Sequence, residues 1–182
     1  KYFHDKYFLT YNSLDTLELL LDHNDILLMQ MNFKLEKLSG RLEIDDLGAT
    51  IVVNKNHSES RQLFTIAHEL GHYYLHQDKS SQFIETKLNE NLYSCGELIM
   101  EREANLFASE ILIPLEVLEK MLNIRYSFYR ITKTTGVSPE SLKWRIHRYI
   151  KTKYITNHKL ALMLVEDYKI KSVDRTHKMD WD

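Results

Sequence analysis

Residues 64–76 read FTIAHELGHYYLH, with histidines at 68, 72 and 76 and Glu69 beside the first. Side chains four residues apart share a face in an α-helix, about 40° apart in projection and about 6 Å apart along the axis. If these rings act together, Arg61–His76 is helical. Leu63, Ala67, Leu70 and Tyr74 then form an apolar stripe on a different face. Two imidazoles so placed can reach one tetrahedral zinc at about 2.0–2.1 Å each. Glu69 lies on the flank, too offset to be a third ligand but close enough to act as general base toward a water at that metal. This composition yields roughly 0.04 such His-Glu-x-x-His matches by chance, so a helix with incidental histidines is the weaker reading. His76 stands about 12 Å from His68 along the axis and cannot share that ion. It reads as a cleft-lining or helix-end residue. Gly71 costs a helix about 1 kcal/mol relative to alanine, which suggests close backbone approach or tight helix packing.

A catalytic zinc takes three protein ligands and keeps one position open. The segment EREANLFASEILIP, residues 101–114, is the best source of the third. Ala104, Phe107, Ala108, Ile111 and Leu112 make one helical stripe, and Glu101 projects onto its edge. A carboxylate on a burying face needs a partner, and a metal would serve. Glu101 is therefore the expected ligand, with a salt bridge or helix-end carboxylate as the alternative. Asn105, one turn on, is expected to orient a ligating group from behind. Glu103 and Glu110 fall on the polar face and read as solvated charges.

The rest of the chain fits an α+β domain: a small sheet of about three strands packed on the histidine helix, then a mainly helical C-terminal part. NSLDTLELLLDHN reads as a helix capped by Asn12 or Ser13, with Leu14, Leu17 and Leu21 in register. Strands are expected over 25–31, 41–45 and 49–54, separated by turn signals at Ser39-Gly40 and Asp46-Leu47-Gly48. The polar stretch 77–96 reads as a surface loop that could rim a cleft. Pro114 should open a helix over 114–123. The expected division is a zinc-binding domain over 1–124 and a helical region over 125–182.

Charge is unevenly spread along the 182 residues. Residues 1–124 hold 11 Lys/Arg and 20 Asp/Glu, whereas residues 125–153 hold 8 Lys/Arg and one Glu. The basic segment has the look of a helix, a glycine turn and a second helix capped by Ser138 with Pro139 first inside it. Ile131, Val137, Leu142 and Ile146 would form its core. It resembles a helix-turn-helix, and Lys143, Arg145, Arg148 and Lys151 could meet DNA phosphates. Packing or docking of a protein partner is the favoured reading. One cysteine, Cys95, excludes an internal disulfide framework and fits a reducing cytosol. No apolar run approaches the roughly 18 residues of a membrane span, and no signal peptide is visible. A cytoplasmic protein without membrane attachment is expected. Oligomeric state leaves no trace in the sequence.

Together, RQLFTIAHELGHYYLH and EREANLFASEILIP resemble the ImmA/IrrE family of bacterial and phage metallopeptidases, a compact gluzincin-like group. The family pattern places E-x-x-A-N-x-F-A-x-x-L-L-x-P about thirty residues after the histidine motif, and here Ile111 replaces one leucine. GATIVVN resembles the family's strand-Asn segment. The likeness covers roughly 14–124 well and the C-terminal part more loosely. It implies one zinc ion held by His68, His72 and Glu101, with Glu69 as catalytic base. It also implies endoproteolysis of an intracellular regulator, typically a helix-turn-helix repressor of a phage, mobile element or stress response. A binding protein that keeps the metal fold and acts through its basic hairpin on DNA or a protein is the alternative. Tyr73, Tyr93, His76 and His147 are further candidates to line the cleft. The strand ATIVV is expected to be a sheet edge, open to an extended substrate.

Overall fold

The computed structural model describes residues 11–34, 37–79, 82–86 and 95–179. The chain divides into two compact units, one spanning Ser13–Leu112 and the other built mainly from Ile113 onward. The division thus falls twelve residues before the expected boundary at 124. Pro114 marks it: its φ of −53° and ψ of 150° break the helical path between two helices.

The first unit begins with helix α1 (Ser13–His23), which buries Leu17 and Leu21 while Leu14 stays exposed. The Ser13 hydroxyl donates to the Leu112 carbonyl, tying α1 to the far end of the unit. Strands β1 (Leu27–Met31), β2 (Leu38–Asp45) and β3 (Gly48–Asn54) follow. Between β2 and β3 the Leu47 N–H donates to Asp45 Oδ1, and Gly48 takes a φ of 126° that a side chain would strain. A fourth strand, β4 (Gln82–Thr86), lies inside the stretch expected to be loop. QFIET alternates polar and apolar residues, but its polar flanks hid a segment this short. The sheet order is β1-β3-β2-β4, with β1 parallel to β3 and the other pairings antiparallel.

Two strand expectations change. ATIVV is not an edge, because β3 is paired on both sides. Its core character explains this: Ile51 and Val53 are fully buried, as an interior strand requires. Ser39-Gly40 is not a turn but part of β2, at a register shift between Leu38 and Gly40 against β4.

Helix α2 (Glu59–His76) follows β3, and helix α3 (Cys95–Leu112) follows β4. α2 lies against β2 and β3 and also against α3. Its residues 65–72 are buried without a break, so the histidine helix is the centre of this unit. Cys95 is exposed and free.

The second unit is helical: α4 (Leu115–Asn123), α5 (Phe128–Thr135), α6 (Pro139–Lys153) and α7 (His158–Met179). Gly136, at φ 76°, ends α5 with its N–H donating to the Thr132 carbonyl. Ser138 caps α6 by accepting from the Ser141 N–H. Ile131, Val137, Leu142 and Ile146 are all buried. The hairpin's basic face is partly consumed within its own unit. Arg145 is 3% exposed, and its Nε donates to the Ile113 carbonyl. Lys143 pairs with Glu166 at 2.9 Å and Lys153 with Glu119 at 2.6 Å. Arg145 therefore cannot meet a phosphate, which corrects its assignment to a DNA-facing set. No helix among the described residues is long and apolar enough to cross a membrane.

Candidate metal centre

Helix α2 carries its three histidines on one stripe, and the stripe faces α3. His68, His72 and His76 are each 1% exposed, and Glu69 is fully buried. Histidines four apart stack along the axis, with ring centroids 4.8 Å apart for the first pair and 5.1 Å for the second. The Nε2 atoms of His68 and His72 lie 3.1 Å apart. Glu101 reaches over from α3 so that one carboxylate oxygen lies 3.3 Å from His68 Nε2 and the other 3.3 Å from His72 Nε2.

Gly71 makes this crossing close enough. A Cβ at that position would stand 2.9 Å from Ala104 Cα and 3.1 Å from the Ala104 carbonyl oxygen. Ala104 is three residues from Glu101, so the backbone contact sets how far Glu101 stands from the rings. Gly40 plays a matching part on the sheet side. Its Cβ would collide with the Thr65 methyl at 2.3 Å, crowd the Val52 carbonyl at 2.9 Å, and stand 3.6 Å from Glu69 Oε1. A glycine inside a strand often marks such a close approach, a signal that the turn reading of Ser39-Gly40 overlooked.

Each imidazole is also held from behind. His68 Nδ1 lies 3.1 Å from Asn105 Oδ1, an acceptor, so its Nδ1–H donates there and the lone pair of Nε2 is left for the Glu101 side. His72 Nδ1 lies 3.1 Å from His76 Nδ1, and His76 Nε2 lies 2.9 Å from Glu103 Oε2. Glu103 is thus more than a solvated charge: about half exposed, it also closes a hydrogen-bonded chain. A helical-wheel projection misses this because it ignores the reach of a glutamate side chain. His76 is a helix-end residue, but it lines no cleft surface, being buried against its two partners.

Electrostatics follow from this packing. Burial raises the Glu101 carboxyl, but while His68 and His72 carry protons toward it their hydrogen bonds and charge outweigh burial and bring it down to about 2; a bound ion would take the place of those protons. Burial lowers the His72 imidazole, against the opposing pull of Glu101. The hydrogen bond with His76 holds Glu103 below the ordinary carboxylate range. At neutral pH the arrangement favours an uncharged His72 beside an ionised Glu101, which is the protonation state a metal needs.

The donors suit a divalent ion. Tetrahedral geometry with bonds of 2.0–2.1 Å sets neighbouring donor atoms about 3.3–3.4 Å apart. The separations of 3.1 and 3.3 Å are close to that. Two imidazoles, which are borderline donors, and one carboxylate make a ligand set suited to zinc. Among the described residues, His68, His72 and Glu101 form the group of His, Cys, Asp or Glu able to share an ion. Tyr73 is half-buried with its ring against Tyr74. His147 belongs to the C-terminal unit, where it packs edge-on against Trp144 and His158. Tyr93 lies outside the described residues.

Comparison with known proteins places the chain among metallopeptidase relatives. Over 104 residues the chain is 31% identical to "Uncharacterized immunity region protein 2" of Bacillus phage phi105, covering 57% of this chain and 63% of that protein. Over 93 residues it is 33% identical to "Metallopeptidase ImmA" of Bacillus subtilis strain 168, covering 49% and 47%. The chain thus spans about half to two thirds of the length of these curated relatives. Among solved structures, a Mycobacterium tuberculosis transcriptional regulator superposes with a TM-score of 0.52 at 16% identity, over 74% of this chain and 40% of that one. At that identity the likeness concerns the fold alone. The model of the IrrE N-terminal-like domain, Peptidase_M78, matches residues 21–147, and the chain belongs to that family of metallopeptidases.

Proposed function

We propose that this protein is a zinc-dependent endopeptidase that cleaves an intracellular regulatory protein, with a helix-turn-helix repressor of a phage, mobile element or stress response as its substrate. One observation carries the reading: two imidazole nitrogens and a carboxylate converge at 3.1–3.3 Å, one residue along from a fully buried glutamate. His68, His72 and Glu101 would hold the ion. A zinc bound there supplies a Lewis acid that polarises a peptide carbonyl and makes water a stronger acid. Glu69 takes the proton from the attacking water and hands it to the leaving amine. Asn105 keeps the His68 ring turned with its Nε2 lone pair toward Glu101.

The substrate class draws on the relatives, whose names are an immunity-region protein and a metallopeptidase. An extended segment of substrate would align on an edge strand, β1 or β4, because β3 is filled on both sides. Action through the basic hairpin on DNA is the weaker reading, since Arg145 and Lys143 are engaged inside their own unit.

The test is incubation with the repressor encoded beside this gene, read by intact-mass spectrometry. Wild type with zinc should give two fragments, and zinc removal by a chelator should stop cleavage. Glu69→Gln should retain zinc and lose cleavage by a factor of at least about 10²–10⁴, the range of general acid–base catalysis. Cleavage that survives Glu69→Gln would refute the assignment.

A further inference from the structure

His76 and Glu103 have no part in the chemistry described so far, yet with His72 they form a hydrogen-bonded chain whose order bears on the metal site. Two ring nitrogens 3.1 Å apart, His72 Nδ1 and His76 Nδ1, must share one proton between them. His76 is buried, so water cannot relieve a mismatch there. The far nitrogen of His76 lies 2.9 Å from Glu103 Oε2. A carboxylate only accepts, so it draws the His76 proton to Nε2. In the neutral imidazole that leaves a lone pair on His76 Nδ1, which accepts from His72 Nδ1–H. With its proton on Nδ1, His72 presents a bare Nε2 to Glu101 and His68.

The reverse order fails. Without an acceptor at Glu103, His76 can carry its proton on Nδ1. Two N–H groups cannot face each other at 3.1 Å, so the His72 proton would move to Nε2, where it blocks a metal. The relay thus has only one internally consistent state in which His72 is a ligand.

We propose that His76 and Glu103 are positioning residues that fix the tautomer of His72 and so set the affinity of the site for its metal ion. This rests on the metal-site reading above but concerns groups that touch neither the ion nor the substrate. Helix α3 would then supply one ligand, Glu101, and the ends of both outer hydrogen-bond chains, Asn105 for His68 and Glu103 for His72. Since α2 supplies both imidazoles, the α2–α3 contact would control the ligand set and its proton arrangement together.

The test measures zinc affinity by competition with a fluorescent chelator on the full chain, beside thermal melts of the metal-free proteins. Glu103→Ala should lower zinc affinity by about 10-fold or more, within the 10–100-fold range of outer-shell substitutions. Glu103 is half exposed, so this variant should fold. Glu103→Gln keeps an oxygen that accepts from His76 Nε2–H and should recover most of the loss. His76→Phe should lose at least as much as Glu103→Ala. His76→Gln, which can accept from His72 and donate to Glu103, should bind better than the phenylalanine variant. Nitrogen NMR of the zinc-loaded wild type should show His76 protonated at Nε2 and His72 at Nδ1, and Glu103→Ala should shift His76 away from that form. Wild type that binds zinc while Glu103→Ala binds within twofold, or His76 protonated at Nδ1, would overturn the inference and leave the metal site standing. Wild type that binds no zinc would overturn both.

Discussion

Gly71→Ala tests whether the α2–α3 contact sets the metal centre. The added Cβ would stand 2.9 Å from Ala104 Cα, whereas ordinary contact begins at 3.4 Å. The helices must separate by at least the difference, 0.5 Å, because the obstacle is backbone and cannot rotate away. Overpacking of this kind costs about 1–3 kcal/mol. Alanine recovers about 1 kcal/mol of helix propensity. The net loss of stability should be about 0–2 kcal/mol, small enough for the protein to fold. The site should suffer more than the fold. Glu101 is three residues from Ala104, and a metal site tolerates only about 0.5 Å of misplacement. Zinc affinity should fall by about 10-fold, or about 1.4 kcal/mol. Gly96→Ala is the internal control: it lies in the same pair of helices and among the described residues its Cβ would meet nothing within 4 Å. That variant should be neutral or slightly stabilised, with unchanged metal binding. Urea denaturation of the metal-free proteins and chelator competition measure the two effects. If Gly71→Ala matches Gly96→Ala in both, the contact does not set the site.

Three further outcomes are expected. Gly40→Ala should destabilise by about 1–3 kcal/mol through its clash with the Thr65 methyl and the Val52 carbonyl; Thr65→Ser, which removes the colliding methyl, should restore part of the urea midpoint, and strict additivity of the two changes would show they do not meet. In the metal-free protein, burial lowers His72 from its ordinary 6.5, so the unfolded chain binds that proton more readily than the folded one. The resulting stability is complete above about pH 6.5 and is lost as pH falls below it toward the folded value; urea midpoints between pH 8 and 5 should show this fall, and His72→Asn should flatten it. Arg145→Ala should cost about 1–3 kcal/mol by leaving the Ile113 carbonyl without that donor, while Lys151→Ala, at an exposed position, should leave the melting temperature within a degree or two.

Local signals were strong wherever chemistry depends on spacing along one element. The His68–His72 pair, the caps at Ser138 and Gly136, and the hairpin core of Ile131, Val137, Leu142 and Ile146 follow from helical periodicity and turn chemistry. Glu101 was legible because it breaks the apolar pattern of its own helix. What depended on neighbours from elsewhere in the chain was hidden. ATIVV carries the same residues whether it is an edge or an interior strand, and only pairing with β1 and β2 decides which. Arg145 reads as surface charge until the Ile113 carbonyl takes its proton donor.

The amino-acid order alone determined which helix bears the paired imidazoles, because 3.6 residues per turn places positions four apart on one face whatever surrounds them. Tertiary structure decided how those imidazoles are oriented, through Gly71 against Ala104 and through Asn105, His76 and Glu103 at their outer nitrogens. Hydrogen bonds act over about 3 Å, and no rule of spacing brings α3 within that distance of α2; only packing does.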